Sequence, residues 1–222
     1  MTDIKENDKF KFGELRKSEF WEVKNMYRIY SALIEIVAAA VFIIPIWCIY
    51  NKLCFHNWKR TIIYMVLGFY FTAVLALVGF PDITSLKIDF AVNVIPFLDM
   101  VSDSMNACLN VLLFVPLGFF LPILWDKFRN IKNVALTGFI VTSLIEISQI
   151  FTFRTTDIND IITNTVGTII GYFIAHRITD NFTKRVFSNS KMSDFYIICV
   201  SVELIMFFFQ PFISSLLWKM VL

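Results

Sequence analysis

Long apolar runs constrain this chain more than any other feature of its sequence. Each run is close to the roughly 20 residues needed to cross a bilayer core. The runs cover residues 30–50, 61–80, 107–125, 134–153, 161–178 and 195–218. Only 17% of the 222 residues are charged, against about a quarter in soluble domains, so lipid must cover much of the apolar surface. The sequence therefore predicts an all-α, polytopic transmembrane helix bundle of about six spans.

The polar residues 1–29 precede the predicted transmembrane domain, which covers residues 30–222. This segment contains seven basic and six acidic residues. An apolar stripe at helical spacing runs along it: Phe20, Val23, Tyr27 and Tyr30. The stripe fits either a helix lying on the membrane surface or a solvated lead-in. The net charge of +2 does not indicate a nucleic-acid partner, and we expect none.

Basic residues are distributed unequally between the short connections of the chain. One set of alternate connections contains Lys52, Lys59, Arg60, Lys127, Arg129, Lys132, Arg177, Lys184, Arg185 and Lys191. The opposite set contains Lys87, Arg154 and Lys219. Lysine and arginine accumulate on the cytoplasmic side of membrane proteins. The first set is therefore expected inside, and the connections at 81–106 and 154–160 outside.

One stretch, Ser143 to Gly171, interrupts two apolar runs with polar side chains. Glu146 and Gln149 lie three residues apart near the end of the fourth run, and a short polar hinge with Arg154 follows. Beyond the hinge, polar residues and glycines recur every three or four positions: Asp157, Asp160, Asn164, Gly167 and Gly171. This periodicity places the last five residues on one helix face.

These polar residues are expected to lie at one depth, near the outer membrane face. Because successive spans alternate in direction, the third run begins, at Asn110, on the side where the fourth ends and the fifth begins. At about 1.5 Å per residue, Glu146 and Asn164 lie roughly 10 Å or less below the hinge. We therefore expect one shallow polar cavity there. An acid at a helix centre within a membrane costs about 2.5 kcal/mol or more, which favours a functional role for Glu146.

Each charged residue near the hinge also has a purely structural interpretation. Asp157 and Asp160 fit the N-cap and N3 positions of the fifth helix, in a capping-box arrangement with an acid at N3. The helix dipole favours both carboxylates. Arg154 fits a side chain that extends to the membrane interface or pairs with an aspartate.

The uncharged polar residues have structural alternatives as well. Gln149, Asn164 and Asn110 fit hydrogen bonds between helices. A neutral Glu146 bonded to Gln149 or Asn164 is the corresponding alternative for the acid. Gly167 and Gly171 form a G-x-x-x-G step, which permits close approach of helix backbones. Thr168, one position off that stripe, is expected to tolerate larger side chains better.

Four fragments in order resemble the VanZ-like family of bacterial membrane proteins. They are NVIPF (Asn93 to Phe97), NVLLFVPLGFFLP (Asn110 to Pro122), SLIEISQ (Ser143 to Gln149), and the series Arg154, Asp157, Asp160, Asn164, Gly167 and Gly171. Phe153 departs from the family pattern, which has a glycine before the arginine. The resemblance implies a multi-pass protein of the bacterial plasma membrane with a cell-envelope role. The founding member of the family is associated with low-level resistance to the glycopeptide teicoplanin.

The expected function is binding or shielding at the outward-facing polar site. Its candidate residues are Asn93, Asn110, Glu146, Gln149, Arg154, Asp157, Asp160 and Asn164. Candidate ligands are a membrane-lipid headgroup, a lipid-linked wall precursor or a glycopeptide. The planar guanidinium group of Arg154 is suited to binding phosphate, and the aspartate carboxylates are suited to binding amines or sugar hydroxyls.

Two other functions remain open at this point. One is an intramembrane enzyme acting on an envelope lipid or wall precursor, with Glu146 as general acid or base. The other is a transporter or a subunit of an envelope complex. The four cysteines show no paired spacing, and no cofactor is evident. A divalent cation at Asp157 and Asp160 is an alternative, because carboxylate oxygens suit magnesium or calcium.

Overall fold

The computed structural model describes residues 3–88, 92–93, 104–152, 155–179 and 190–221. Within these ranges the chain forms seven α-helices: α1 (Asp3–Tyr50), α2 (Trp58–Val78), α3 (Ser104–Leu124), α4 (Ile131–Gln149), α5 (Ile158–Thr179), α6 (Met192–Leu204) and α7 (Gln210–Val221). A π-helical turn, Ile205–Phe209, joins α6 to α7, and another, Asn51–Phe55, follows α1. The all-α helix bundle predicted from the sequence is thus confirmed.

Five stretches of the described residues are long and apolar enough to cross a membrane. They are Ile29–Phe55, Trp58–Val78, Ser104–Leu124, Ile131–Gln149 and Met192–Met220. They coincide with five of the six predicted spans. The sixth, 161–178, is α5, a helix of 22 residues with a more polar sequence. The α1 helix is continuous from Asp3 to Tyr50, so it crosses the predicted boundary at residue 30 without interruption.

Asparagines and a glycine set several helix ends. The Asn57 side chain caps α2 by accepting hydrogen bonds from the backbone N–H groups of Lys59 and Arg60. Asn130 caps α4 by accepting one from Lys132 N–H. Gly79 ends α2 in the left-handed region, with φ of 72°, where glycine carries no steric penalty.

The α5 helix packs most extensively on α3 and then on α4. A Cβ atom added at Gly167 would lie 2.2 Å from the carbonyl oxygen of Val111, and one at Gly171 would lie 2.0 Å from that of Val115. From the α3 side, a Cβ at Gly118 would lie 1.8 Å from the carbonyl oxygen of Thr168. The close approach predicted for the G-x-x-x-G step is confirmed, and its partner is α3.

The expectation that Thr168 is a tolerant position was wrong. Thr168 is fully buried, and its hydroxyl donates to the Asn164 carbonyl oxygen at 2.9 Å. A Cβ added at Gly138 of α4 would lie 2.7 Å from that hydroxyl oxygen. Thr168 therefore lies where α3, α4 and α5 meet, because the buried surface of α5 is wider than the glycine stripe.

An aromatic cluster closes the bundle at the end where α3 stops and α4 and α6 begin. Trp125 stacks on Tyr64 with ring centroids 5.7 Å apart, and it meets Phe195 edge-on at 5.2 Å. The Tyr64 hydroxyl donates to the buried Asp194 carboxylate at 3.0 Å. These contacts fix α2 and α6 to the connection between α3 and α4.

At the opposite end, two short strands pair in parallel. Strand β1 (Val92–Asn93) pairs with β2 (Thr156–Asp157), so that Asn93 lies opposite Asp157. Nearby, the connection that follows α2 crosses the end of α4, because Lys87 N–H donates to the Phe151 carbonyl oxygen at 3.1 Å. These contacts hold the connection between α2 and α3 against the start of α5, where most of the candidate residues lie.

Candidate functional site

Glu146 lies at the centre of the polar end of the bundle. Its side chain is 2% exposed, although it belongs to an apolar helix. One carboxylate oxygen, Oε2, accepts a hydrogen bond of 2.9 Å from the backbone N–H of Asp157. The Thr156 hydroxyl donates to the Glu146 carbonyl oxygen at 3.0 Å. The last turns of α4 thus hold the strand that leads into α5.

Asp157 is the N-cap of α5, as predicted from the sequence. Its Oδ1 accepts from the backbone N–H of Asn159 at 2.8 Å, which is the N2 position of the helix. Its Oδ2 accepts from the Asn93 side-chain amide at 3.2 Å. One carboxylate therefore caps the helix and fixes the connection that follows α2.

The capping arrangement differs from the sequence prediction in one respect. In a capping box, the N3 side chain accepts from the backbone N–H of the N-cap residue. Here Glu146, from a different helix, accepts from that N–H group. Asp160, at N3, accepts instead from the Asn110 side-chain amide, with 2.7 Å between Nδ2 and Oδ1. Asp160 thus links α5 to α3, and Asn110 faces the site as expected.

Gln149 and Asn164 both bond across helices. The Gln149 amide donates to the Val78 carbonyl oxygen at the end of α2, at 3.2 Å. The Asn164 amide donates to the Thr142 hydroxyl of α4 at 2.8 Å. Both side chains are buried. These contacts agree with the interhelical-bond interpretation. The sequence had suggested Gln149 and Asn164 as hydrogen-bond donors to Glu146, but their amide groups donate to Val78 and Thr142.

Seven of the eight candidate residues lie within the described ranges, and we call these seven the polar layer: Asn93, Asn110, Glu146, Gln149, Asp157, Asp160 and Asn164. Arg154 lies outside the described residues. The structure adds Thr156 and Thr142, which bond to Glu146 and Asn164. The spacing rules missed them because threonine is common in membrane helices, and neither threonine falls on the stripe that begins at Asp157.

The polar layer is a network of hydrogen-bonded pairs. The sequence led us to expect a shallow cavity shared by these residues. A cavity of about 540 Å³ in this structure is lined by none of them. Within the described ranges, histidine, cysteine, aspartate and glutamate form no group of three that suits a metal ion.

The three acids of the polar layer differ in how far their side chains are exposed. Glu146 is buried, whereas Asp157 and Asp160 are partly exposed. The two aspartates begin α5, where the positive end of the helix dipole stabilises negative charge. Both aspartates thus combine partial exposure with a position at a helix N-terminus, and the backbone N–H of Asp157 is held by the buried Glu146 carboxylate.

A bundle of apolar helices with a polar layer at one end, of which Glu146, Gln149 and Asn164 are buried, defines an α-helical integral membrane protein. The model of one family, VanZ/LLP1, matches residues 61–179, just over half of the 222-residue chain. The chain therefore belongs to the VanZ/LLP1 family, as its motifs predicted. The matched region includes all eight candidate residues. The comparisons with curated proteins and with solved structures found no match.

Proposed function

We propose that this protein binds and shields a polar envelope ligand at the outward-facing polar layer, in the plasma membrane of a bacterium. The observation that carries the proposal is the pair of partly exposed carboxylates, Asp157 and Asp160, one helical turn apart. Asparagine amides from two other elements, Asn93 and Asn110, hold these carboxylates in place. A structural cap alone needs only one of the two acids.

The chemistry of the polar layer favours a ligand rich in hydrogen-bond donors. Carboxylate oxygens accept from ammonium and hydroxyl groups, which occur in sugars, amino sugars and aminated lipid headgroups. A polar lipid headgroup, a lipid-linked wall precursor and a glycopeptide all carry such groups. Arg154, next to this layer in sequence, suits the phosphate of the first two ligands.

Binding alone accounts for tolerance to a glycopeptide without any reaction. A protein that holds the antibiotic, or covers the precursor that the antibiotic recognises, lowers the amount of complex formed. We therefore propose that this chain contributes to teicoplanin tolerance by shielding. A catalytic role would fall to Glu146, but its Oε2 already accepts from Asp157 N–H.

The test is to identify what the purified full-length protein retains. Protein extracted in a mild detergent would be analysed by native mass spectrometry, first as isolated and then with added teicoplanin. We expect a bound envelope lipid, precursor or antibiotic that Glu146→Gln and Asp160→Asn each lose. Glu35→Gln and Asp82→Asn are matched controls, because these acids lie outside the polar layer. Headgroup release by wild type that Glu146→Gln abolishes would instead support the enzyme.

A further inference from the structure

A second feature lies on another side of α4, away from the polar layer. The cavity of about 540 Å³ runs between α2, α3, α4 and α6, and we call it the lateral cleft. Its lining on α4 runs from Asn133 to Ile145 and on α6 from Met192 to Glu203. Ligand cavities in proteins are typically about 300–1,000 Å³, with mostly apolar walls and a few polar groups. The lateral cleft fits both descriptions.

The length of the lateral cleft matches one leaflet of a bilayer. At about 1.5 Å per residue, its α4 wall is roughly 18 Å long and its α6 wall roughly 16 Å. A bilayer core is about 30 Å thick, so one leaflet contributes about half of that. The cleft thus has the extent of a single acyl chain of a lipid in one leaflet.

The cleft is bordered on both sides by exposed apolar residues. Leu136 and Ile140 on α4 are 57% and 48% exposed. Tyr196 and Val200, on the facing side of α6, are 57% and 51% exposed. In a membrane protein such side chains meet lipid, so an acyl chain enters between α4 and α6 without crossing water.

A cationic side chain lines one end of the cleft, and others lie nearby in sequence. Lys127 and Asn133 line it where α3 leads into α4. In the part of the chain that the structure describes, the Lys127 ammonium forms no ion pair, whereas Arg129 pairs with Asp126 at 2.7 Å. Lys132 and Lys191 are also exposed at this end. A phosphate placed here meets the Lys127 ammonium, and Lys132 and Lys191 each adjoin a lining residue in sequence.

We propose that the lateral cleft holds one acyl chain of an anionic glycerophospholipid, with the phosphate at Lys127. The carboxylate in the lining, Glu203, lies at the opposite end, about 16 Å along α6 from Met192, so it does not oppose the phosphate. The basic connections define the expected cytoplasmic side, which assigns the lipid to the inner leaflet. Since no residue of the polar layer lines the cleft, this inference is independent of the proposed function.

The test measures lipid binding to the purified full-length chain by native mass spectrometry. Dioleoyl-phosphatidylglycerol is the anionic probe, and dioleoyl-phosphatidylethanolamine is the probe without net charge. A basic residue near an anionic surface contributes about 1 kcal/mol, so Lys127→Ala should weaken phosphatidylglycerol binding about fivefold. It should weaken phosphatidylethanolamine binding less, because the ammonium group of that headgroup already offsets the charge of its phosphate. Thr137→Trp, which fills the cleft, should weaken binding of both lipids about tenfold or more, which corresponds to the loss of roughly two buried CH₂ groups at about 0.8 kcal/mol each.

Controls separate this site from general lipid contact. Lys59→Ala removes an exposed charge at the same end of the bundle, and Leu112→Trp enlarges an exposed apolar residue of α3; neither lines the cleft. Both should bind like wild type. If Thr137→Trp fails to fold, Ile140→Trp replaces it. Equal binding of the two lipids by wild type, or wild-type binding by the cleft-filling variant, overturns the proposal.

Discussion

The Glu146 carboxylate of α4 accepts a hydrogen bond of 2.9 Å from the backbone N–H of Asp157, the N-cap of α5. Glu146 thereby takes the role that the N3 side chain has in a capping box, while Asp160 at N3 bonds to Asn110. Glu146→Gln retains an oxygen at this position, whereas Glu146→Leu leaves a partly buried N–H group without this acceptor. Such a loss costs about 1–3 kcal/mol. We expect Glu146→Leu to melt well below Glu146→Gln in detergent, and equal melting temperatures would contradict this role for the bond.

The α3–α5 contact should not tolerate a larger side chain at its glycines. Gly118→Ala places a methyl group against the Thr168 carbonyl oxygen, and Gly167→Ala places one against that of Val111. Backbone atoms cannot move aside as a flexible side chain can, so each variant should lose at least the 1–3 kcal/mol typical of overpacking. Val166→Leu, on the exposed side of α5, is the control. Unchanged melting of the glycine variants would refute the close packing.

Asp157 should tolerate asparagine as a cap but not alanine. Asparagine caps about as well as aspartate, whereas alanine at an N-cap costs about 0.5–2 kcal/mol. Asp157→Ala should therefore lower the thermal stability, and Asp157→Asn should leave it near wild type. Circular dichroism melting of the two variants in the same detergent checks this. If asparagine destabilises as much as alanine, the charge itself is structural.

The orientation follows from the distribution of basic residues and can be tested in cells. Cysteine introduced at Ser85 or Thr155 should react with a membrane-impermeant thiol reagent on intact cells. Cysteine at Asn130 should react only after permeabilisation. The native thiols, Cys48, Cys54, Cys108 and Cys199, must first be replaced. The reverse labelling pattern would show that the orientation is opposite to the predicted one and that the polar layer faces the cytoplasm.

Local sequence rules predicted the features that depend on neighbouring residues. The helices follow from apolar length, the cap at Asp157 from its position before the fifth helix, and the close packing from the Gly167–Gly171 step. None of these patterns identifies a partner, because a helix face shows that it is buried but not which helix covers it. The glycine spacing on α5 therefore could not identify α3 as the packing partner. The structure identifies it, because Gly118 of α3 lies against Thr168.

Contacts between residues far apart in the chain could not be predicted from local sequence patterns. Strands of two residues carry no periodic signal, so the pairing of Asn93 with Asp157 could not be predicted. The bond from Asp157 to Glu146 depends on the path of the intervening chain. The lateral cleft is lined mostly by apolar residues of four helices, and each of these looks like an ordinary lipid-facing or core residue. Only their arrangement in space reveals a cavity.

The central claim is that the acids of the polar layer act as one ligand site. The most direct measurement is the teicoplanin susceptibility of a deletion strain complemented with Glu146→Gln, with Asp157→Asn or with both. Both substitutions nearly preserve side-chain volume, and quantification of membrane protein levels ensures that only folded variants are compared. Each single variant should lose most of the tolerance, and the double variant should lose little more, because parts of one functional unit are not additive. Near-normal tolerance with both single variants would contradict the account and leave these residues with a structural role alone.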